Sequence, residues 1–478
     1  MEEEFRKFIN NLYQHFANNK ISDMVSDYER LRYFQATFYK NSRFPAPSEI
    51  DKMIKNKFFN CLYTELYYRH LFTNLKDKAV LEDFNNSFSN YICLFEYLII
   101  PEKPVNHALP NEWLWDLIHE FIYQFQIFHS NDNIEKFLEE KPDIWHVRHM
   151  IEYLTQIIDK SNINPQLIAY VNQMDVSQAA GIFGRIELYK MLGYFSLVGL
   201  CRLYCLLSDY RSAIKTVENI NLSQISLYDI VPGCLISLAH CAGFSLMMCM
   251  QYYDAIKCFS STISTIQKHD INDTVERERM KILSLLSVCL TIFPMNIEQE
   301  VDEILREKFS QQLSEMKKGV IDEIFKVFNQ GSIKPIPYFG EEVNFVKTNM
   351  KSHAYYIFRQ EVLKQCDLMS IRSVLNLYRN IDISKIANSL DMSESKVISD
   401  LMCFKKMLNY NSSDFDADLI RDMDFYIDKN TVHVSNTKFD LKYFDYFIKS
   451  LQKLEKTDEN LNKLEAQTYE LNAVSNHD

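Results

Sequence analysis

The stretches GLCRLYCLLSDYRSAIKT (residues 199–216) and CAGFSLMMCMQYYDAIKC (residues 241–258) repeat one another. Aligned on their Ala-Ile-Lys triplets, they are 42 residues apart. Each stretch predicts an apolar helix, a short polar turn with a tyrosine, and a second helix that begins near the triplet. Because one helical pair cannot bury its apolar face without a neighbour, repeated pairs predict a solenoid. Solenoids offer extended surfaces to other proteins, so the repeat favours assembly over catalysis.

The composition agrees with a helical protein. The chain has 478 residues, of which 47% are hydrophobic and only 9 are glycine and 11 proline. This length accommodates two or three domains with packed cores. Sheet-rich and nucleotide-binding folds need glycine for turns and close backbone approach, whereas helical arrays do not. We therefore expect a mainly α fold.

Charge and cysteine usage indicate a cytoplasmic protein. The net charge of −12 argues against a protein whose main task is to bind nucleic-acid phosphates. Eleven cysteines lie mostly in apolar runs, as buried reduced thiols do. The acidic start, MEEEF, does not resemble a signal peptide. Residues 230–253 are uncharged, but their Pro, Gly, His and Ser and the lack of basic flanks favour a buried repeat helix over a membrane span.

The pattern along the chain predicts four regions. These are a divergent helical N-terminal region (1–105), helical repeats of TPR-like type (106–330), helices followed by a winged helix (331–436), and a C-terminal helix with a polar tail (437–478). The segment SIKPIPYFGEE (332–342), with two prolines and a glycine, is the clearest internal linker.

The winged helix is predicted between residues 382 and 436. DISKIANSLDM gives a short helix with Asp382 at its N-cap, and Ser393 precedes a second helix. In DFYIDKNTVHVS, apolar residues alternate on both sides of Asp-Lys-Asn, which indicates a tight hairpin. The apolar residues of this hairpin are candidate interface residues: Phe425, Ile427, Val432 and Val434.

This module is acidic, with six basic and ten acidic side chains between residues 382 and 436. A protein that reads a nucleic-acid duplex should be basic at this position. We therefore expect a protein-docking module, in which the hairpin edge near Val432 and Val434 extends the sheet of a partner.

A long helix is predicted over residues 438–471. Its apolar stripe consists of Phe444, Phe447, Leu451, Leu454, Leu461, Leu464 and Leu471. The spacing is that of a helix bundle or coiled coil. Two interpretations stay open: the stripe binds a partner, or the helix folds back on its own domain.

Motifs for catalysis and cofactor binding are incomplete. His119-Glu120 begins like a zinc-protease motif, but residue 123 is Tyr, and Gly181–Gly184 is too short for a phosphate loop. Cys201, Cys205 and the pair His240-Cys241 could in principle hold zinc, although buried thiols are far commoner in such a setting. We expect no catalytic residue, cofactor or metal.

Several segments resemble a known family. A helical array that leads into an acidic winged helix and a terminal helix is the architecture of PCI-domain proteins. The similarity is specific to the subunit L family of eukaryotic translation initiation factor 3, and it rests on these segments: PNEWLWDLIHEFIYQFQ (110–126), DKSNINPQL (159–167), LYKMLGYFSLVGLCRL (188–203), YDAIKCF (253–259), LTIFPM (290–295), SIRSVLNLYRNIDISKIA (370–387) and DFYIDKNTVHVSNTK (424–438). Residues 1–100 and 298–360 are divergent.

The resemblance implies a non-catalytic scaffold subunit. Such subunits join other PCI and MPN subunits in the initiation factor, which binds the small ribosomal subunit and supports mRNA recruitment. It also implies a cytoplasmic location and no membrane contact, and any RNA contact is expected to be indirect. The alternatives are a PCI subunit of the proteasome lid or the signalosome, and a winged-helix protein that binds RNA directly.

Overall fold

The computed structural model describes residues 2–75, 79–105, 107–130, 143–172, 174–220, 231–266, 273–293, 295, 297–318, 320–336, 353–409 and 424–435, with 450–451, 453–454 and 457 near the C-terminus. The chain divides into two compact units. Unit 1 comprises residues 1–293 and 297–359, and unit 2 comprises residues 294–296 and 360–478. The fold is mainly helical, as the composition predicts.

The N-terminal part of unit 1 consists of helices. They are α1 (Glu2–Ala17), α2 (Ile21–Thr37), α3 (Pro47–Met53), α4 (Lys57–Asn74), α5 (Leu81–Ile99), α6 (Asn111–His129), α7 (Val147–Ser161), α8 (Ile163–Val171), α9 (Val176–Ala179) and α10 (Gly181–Gly184).

The repeats and the helices after them continue unit 1. They are α11 (Glu187–Leu206), α12 (Tyr210–Thr216), α13 (Pro232–Met248), α14 (Tyr252–Ile266), α15 (Asp273–Ile292), α16 (Gln299–Lys317) and α17 (Ile321–Gly331). Helix α18 (His353–Leu375) contains the boundary between the units. Most of the predicted linker, residues 337–342, lies outside the described residues.

The two repeated stretches form the same helix–turn–helix in atomic detail. Two residues after the last residue of α11 and of α13, the backbone is left-handed, at Ser208 (φ 62°) and Met250 (φ 64°). These two residues are aligned in the sequence repeat. The Ser208 N–H donates to Cys205 O (3.1 Å) and the Met250 N–H to Met247 O (3.0 Å). In each copy the N–H of the following residue donates to the carbonyl oxygen five residues earlier, with an N···O distance of 2.9 Å. This is the Schellman arrangement, which satisfies the last carbonyls of a helix and turns the chain sharply.

The repeat also fixes how each pair packs. Ala213 and Ala255, the alanines of the two triplets, are fully buried. The turn between α1 and α2 has the same form: Asn19 is left-handed (φ 52°), and the N–H of Lys20 donates to His15 O (3.0 Å). The helical-hairpin geometry is therefore present in the divergent N-terminal region as well as in the repeats.

The N-terminal hundred residues share a core with the repeats. One cluster of buried apolar side chains runs from Phe5 through Cys241. Directed hydrogen bonds also link the two parts: the Trp145 indole N–H donates to Phe84 O (3.0 Å), and the Tyr189 hydroxyl donates to Leu98 O (3.1 Å). This region is thus continuous with the helical array.

Unit 2 contains a small sheet and two short helices after α18. They are β1 (Asn380–Asp382), α19 (Ile383–Ser389), α20 (Glu394–Asn409), β2 (Asp424–Asp428) and β3 (Thr431–Ser435). The sheet is antiparallel with strand order β1-β3-β2. Strands β2 and β3 form the predicted hairpin. Asp382 occupies the N-cap position of α19, but its carboxylate accepts from the Thr431 hydroxyl (3.0 Å) and makes no cap bond to α19.

Glycine should stabilise the left-handed turns of the repeat. A residue with a Cβ pays about 1 kcal/mol in this backbone region, and glycine does not. We expect Ser208→Gly to raise the free energy of unfolding of the chain by about 0.5–1 kcal/mol in urea denaturation. Ser208→Ala is the control, since it shortens the side chain without easing the backbone. Equal effects of both substitutions would contradict this account of the turn.

Candidate protein-interaction surfaces

The hairpin residues predicted as an interface face the interior of unit 2. Phe425 and Val432 are almost completely buried, and the Phe425 ring stacks on that of Phe404 with centroids 5.7 Å apart. Ile427 and Val434 are partly buried against the same cluster. Alternation in a strand shows that one face is covered, but it does not say whether the cover is the same chain or a partner. Here the cover is the chain itself.

The predicted free edge near Val432 and Val434 is wrong. Strand β3 lies between β1 and β2 and is paired on both sides over these residues, for example Ile381 with Val432 and Phe425 with Val434. Strand β1 gives no sequence signal, because a three-residue strand, Asn-Ile-Asp, is too short for a recognisable period-2 pattern. The outer strands of the described sheet are β1 and β2.

Side chains of unit 2 cap the backbone of strand β2. The Lys405 ammonium donates to Phe425 O (2.7 Å) and pairs with the Asp424 carboxylate. The Phe425 N–H donates to Asp424 Oδ1 (2.9 Å). A charged cap of this kind hinders the addition of a further strand, which is how native sheets protect their edges.

The predicted C-terminal stripe is described at two positions. Leu451 and Leu454 are 60% and 65% exposed. Phe444, Phe447, Leu461, Leu464 and Leu471 lie outside the described residues.

Helix α20 exposes an apolar pair that the sequence analysis did not select. Ile398 and Met402 lie one helical turn apart, and Met402 is 58% exposed. The neighbouring side of the helix, with Val397, Leu401 and Phe404, is buried in the core of unit 2. The sequence could have indicated this exposed pair, because two apolar residues outside the core-facing spacing are unexpected on a small amphipathic helix. We call Ile398 and Met402 the α20 face.

Unit 1 contains a cavity of about 1160 Å³. Its apolar walls include Trp115, Leu206 and Ile236, and its polar walls include Asp116 and Arg202. The residues that line the cavity come from helices distant in sequence, so no sequence motif predicts it.

An ionic network on one wall joins α2, α4 and α6. Asp116 accepts from the Tyr28 hydroxyl (2.5 Å) and from Arg32 (2.9 Å), and it lies 3.4 Å from an Arg69 nitrogen. Arg69 also pairs with the fully buried Glu65 at 2.6 Å. The pKa of Asp116 is held below its usual value: burial opposes this shift, but the charge of Arg69 and the bonds from Tyr28 and Arg32 outweigh it. The network thus neutralises charges that burial would otherwise penalise.

Two further groups beside the network are uncharged at neutral pH. Burial raises the pKa of Glu120 to about 8, and Gln124 donates to its carboxyl oxygen (3.2 Å). Burial, together with the positive charge of Arg202, lowers the pKa of His119 to about 3. The two residues that began an incomplete zinc-protease motif therefore stand as a protonated acid and a neutral imidazole.

The candidate zinc residues make other contacts. The Cys205 thiol donates to Cys241 O (3.4 Å), and His240 Nε2 lies 2.7 Å from Gly331 O. Burial raises the pKa of Cys205, and the hydrogen bond with Cys205, together with burial, raises the pKa of Cys241. A raised pKa disfavours the thiolate that zinc binds. Over the described ranges, no group of His, Cys, Asp and Glu has the arrangement of a metal site. Among the helices that are described, none is long and apolar enough to cross a bilayer.

Comparison with known proteins finds relatives along nearly the whole chain. Residues 83–454 match the family described as RNA polymerase I-associated factor PAF67. The protein named eukaryotic translation initiation factor 3 subunit L from Danio rerio is 37% identical over 461 residues, which covers 90% of this chain and 80% of the relative. The proteins of the same name from Xenopus tropicalis and Homo sapiens are each 36% identical, covering 89% of this chain and 81% of the relative.

Fold and surfaces together define a mainly helical protein in which repeated helical hairpins share a core. A small unit of helices and a sheet follows these hairpins. Its described surface exposes apolar side chains at the α20 face and at Leu451 and Leu454. The chain belongs to the subunit L family of eukaryotic translation initiation factor 3.

The buried carboxyl of Glu120 should make stability depend on pH. The pKa of Glu120 is about 8 in the folded chain, above its value of 4.5 when exposed, so the unfolded chain loses this proton first and stability falls as pH rises between the two values. Glu120→Gln cannot ionise and still accepts the bond from Gln124. We expect the advantage of the variant in free energy of unfolding to grow by about 3–4 kcal/mol between pH 5 and pH 8.

Urea denaturation at the two pH values measures this effect. Glu112→Gln is the control, because Glu112 is exposed and its pair with Arg32 (3.0 Å) lies in solvent. An advantage of Glu120→Gln that is the same at both pH values would exclude ionisation of Glu120 as its cause.

Proposed function

We propose that this chain is a non-catalytic scaffold subunit of eukaryotic translation initiation factor 3. It joins other PCI and MPN subunits in the cytoplasm and supports recruitment of the small ribosomal subunit and of mRNA through the complex. The observation that carries the proposal is the similarity to proteins named as subunit L, which extends over about nine-tenths of the chain. A relation of this extent covers both units and not only a shared module.

In this proposal, unit 2 contains a winged helix and the chain as a whole has the PCI architecture. Two features support the assignment. Helices α19 and α20 are followed by the β2–β3 hairpin, and the preceding strand β1 completes a three-stranded antiparallel sheet. Helical repeats precede this module, and the four regions predicted from the sequence (1–105, 106–330, 331–436 and 437–478) are retained as its functional divisions.

The surfaces proposed to contact other subunits are the α20 face and the C-terminal helix. Both present apolar side chains that the described part of unit 2 does not cover, at Met402 on one and at Leu451 and Leu454 on the other. Exposed apolar side chains at helical spacing are suited to a partner helix. Phe444, Phe447, Leu461 and Leu464 belong to the same proposed stripe.

The alternatives make different predictions for co-purification. A tagged copy of the chain, analysed by mass spectrometry, should bring down subunits of the initiation factor. Recovery of proteasome-lid or signalosome subunits would support the other PCI assemblies. Direct RNA binding would require salt-sensitive RNA affinity of the isolated chain, and the acidic balance of residues 382–436 disfavours it.

A charge on the α20 face should weaken assembly without unfolding the chain. We expect Met402→Asp to reduce recovery of the other subunits in co-purification about tenfold or more, because a buried apolar contact is replaced by a desolvated charge. Ser399→Asp, on an exposed polar position of the same helix, is the matched control and should leave recovery unchanged. Equal recovery with both variants would exclude the α20 face as an interface.

Removal of residues 438–478 should release the chain from its complex. The described core of unit 2 consists of side chains between Ile371 and Val432, with Val434 packed against it, and these residues precede the segment. We expect the truncated chain to keep its helical circular-dichroism spectrum and its cooperative thermal transition, while recovery of the other subunits falls about tenfold or more. Co-purification of the truncated chain at normal yield would rule out the C-terminal helix as the principal attachment.

A further inference from the structure

The cavity of unit 1 contains an arginine without an anionic partner. Arg202 extends from α11 into the wall of the cavity and is partly buried. Its Nη1 atom is buried without a hydrogen-bond acceptor, and its Nη2 atom makes a long contact with Gln126 Oε1 (3.5 Å). Within the described part of the chain, no carboxylate lies within salt-bridge distance of it. An unpaired buried guanidinium is costly unless a ligand compensates it.

The other arginines of the same wall are already paired. Arg32 lies 3.0 Å from Glu112 and 2.9 Å from Asp116, and Arg69 lies 2.6 Å from Glu65. Among these three arginines, Arg202 is therefore the one whose charge has no carboxylate partner in the described part of the chain.

Histidines share the wall of the cavity with Arg202. Burial, together with the charge of Arg202, lowers the pKa of His119 to about 3, and burial lowers the pKa of His240. His240 Nε2 lies 2.7 Å from Gly331 O, and its Nδ1 atom lies 3.8 Å from Glu278. An imidazole is not an anion in either protonation state, so neither histidine neutralises Arg202.

Size and walls indicate the kind of ligand. About 1160 Å³ is more than a single inorganic ion requires, and it slightly exceeds the usual range for drug-sized ligands. Apolar side chains at Trp115, Leu206 and Ile236 line the same space. The guest should therefore carry apolar groups beside its negative charge.

Charged side chains of both signs line the rest of the wall. The carboxylates of Glu112 and Asp116 pair with Arg32, and that of Glu278 pairs with Lys281 (2.7 Å). Because these carboxylates already have cationic partners, the partner left for a single incoming carboxylate is Arg202.

We propose that this cavity binds an acidic segment of a partner polypeptide, with one Asp or Glu carboxylate paired to Arg202 and flanking apolar side chains against Trp115 and Ile236. Arginine suits this role, because its planar fork binds a carboxylate through two parallel hydrogen bonds. The site is separate from the α20 face and the C-terminal helix, so it does not depend on the proposed role in the initiation factor.

The test uses the isolated full-length chain and a phage-displayed library of random linear peptides. We expect the selected peptides to be enriched in Asp or Glu flanked by Leu, Ile or Phe. We expect Arg202→Met to bind them about 30-fold or more weakly by fluorescence polarisation, and Arg202→Lys to bind with intermediate affinity. Arg211→Met removes an exposed arginine from the neighbouring helix α12 and should bind like the parent.

Thermal unfolding of the variants separates binding from folding. If Arg202 has no partner within the chain, Arg202→Met should unfold at the same temperature as the parent or higher. A clear loss of stability would mean that the chain itself pairs Arg202, and it would overturn the proposal. So would selected peptides without acidic enrichment, equal binding by Arg202→Met, or binding of polyuridylate that depends on Arg202, which would indicate RNA as the occupant.

Discussion

Close approach between helices is the constraint on which the array of unit 1 depends. At Gly199 in α11, a Cβ would lie 2.8 Å from the Ile118 side chain of α6. At Gly243 in α13, it would lie 2.3 Å from the ring of Phe259 in α14. Both distances are below those that real side chains tolerate, so the helices can pack at this separation only where one residue lacks a side chain. Gly193 and Gly331 stand at contacts of the same kind, where a Cβ would lie 2.0 Å from Ser161 and 2.5 Å from Ser284.

The distance between packed helices determines where the fold can bury polar groups. Helices that pack closely through glycine exclude water from their contact, and Cys205, Cys241 and Ser245 in this region bond to one another and not to solvent. Between α2, α4, α6 and the repeats, the helices leave a cavity, and on one of its walls the charges of Asp116 and Arg69 are paired. Tight contact and charge pairing are thus two ways in which the same array buries polar atoms.

The sequence predicts those features that local spacing encodes. The helical pairs could be recognised because Tyr210 and Tyr252, with their Ala-Ile-Lys triplets, recur 42 residues apart. The β2–β3 hairpin could be recognised because apolar residues such as Phe425 and Val432 alternate about Asp-Lys-Asn. Strand β1 could not be recognised, because Asn380–Asp382 forms a strand only by pairing with β3 about fifty residues later. The cavity is beyond sequence reasoning for the same reason: Tyr28, Asp116 and Arg202 become neighbours only after folding. For the candidate site, alternation identified Phe425 and Val432 as half of a buried contact but assigned the other half to a partner.

The capped strand β2 limits how unit 2 can attach to other proteins. Adding a strand to a sheet gains affinity from main-chain hydrogen bonds, and at Phe425 both main-chain groups already bond to Lys405 and Asp424. A partner strand on this edge would have to break an ion pair as well as two hydrogen bonds before forming new ones. Side-chain contact on the α20 face carries no such cost, because Ile398 and Met402 are exposed and bury apolar surface on contact. Attachment through helix faces is therefore energetically more accessible to this unit than extension of its sheet at β2.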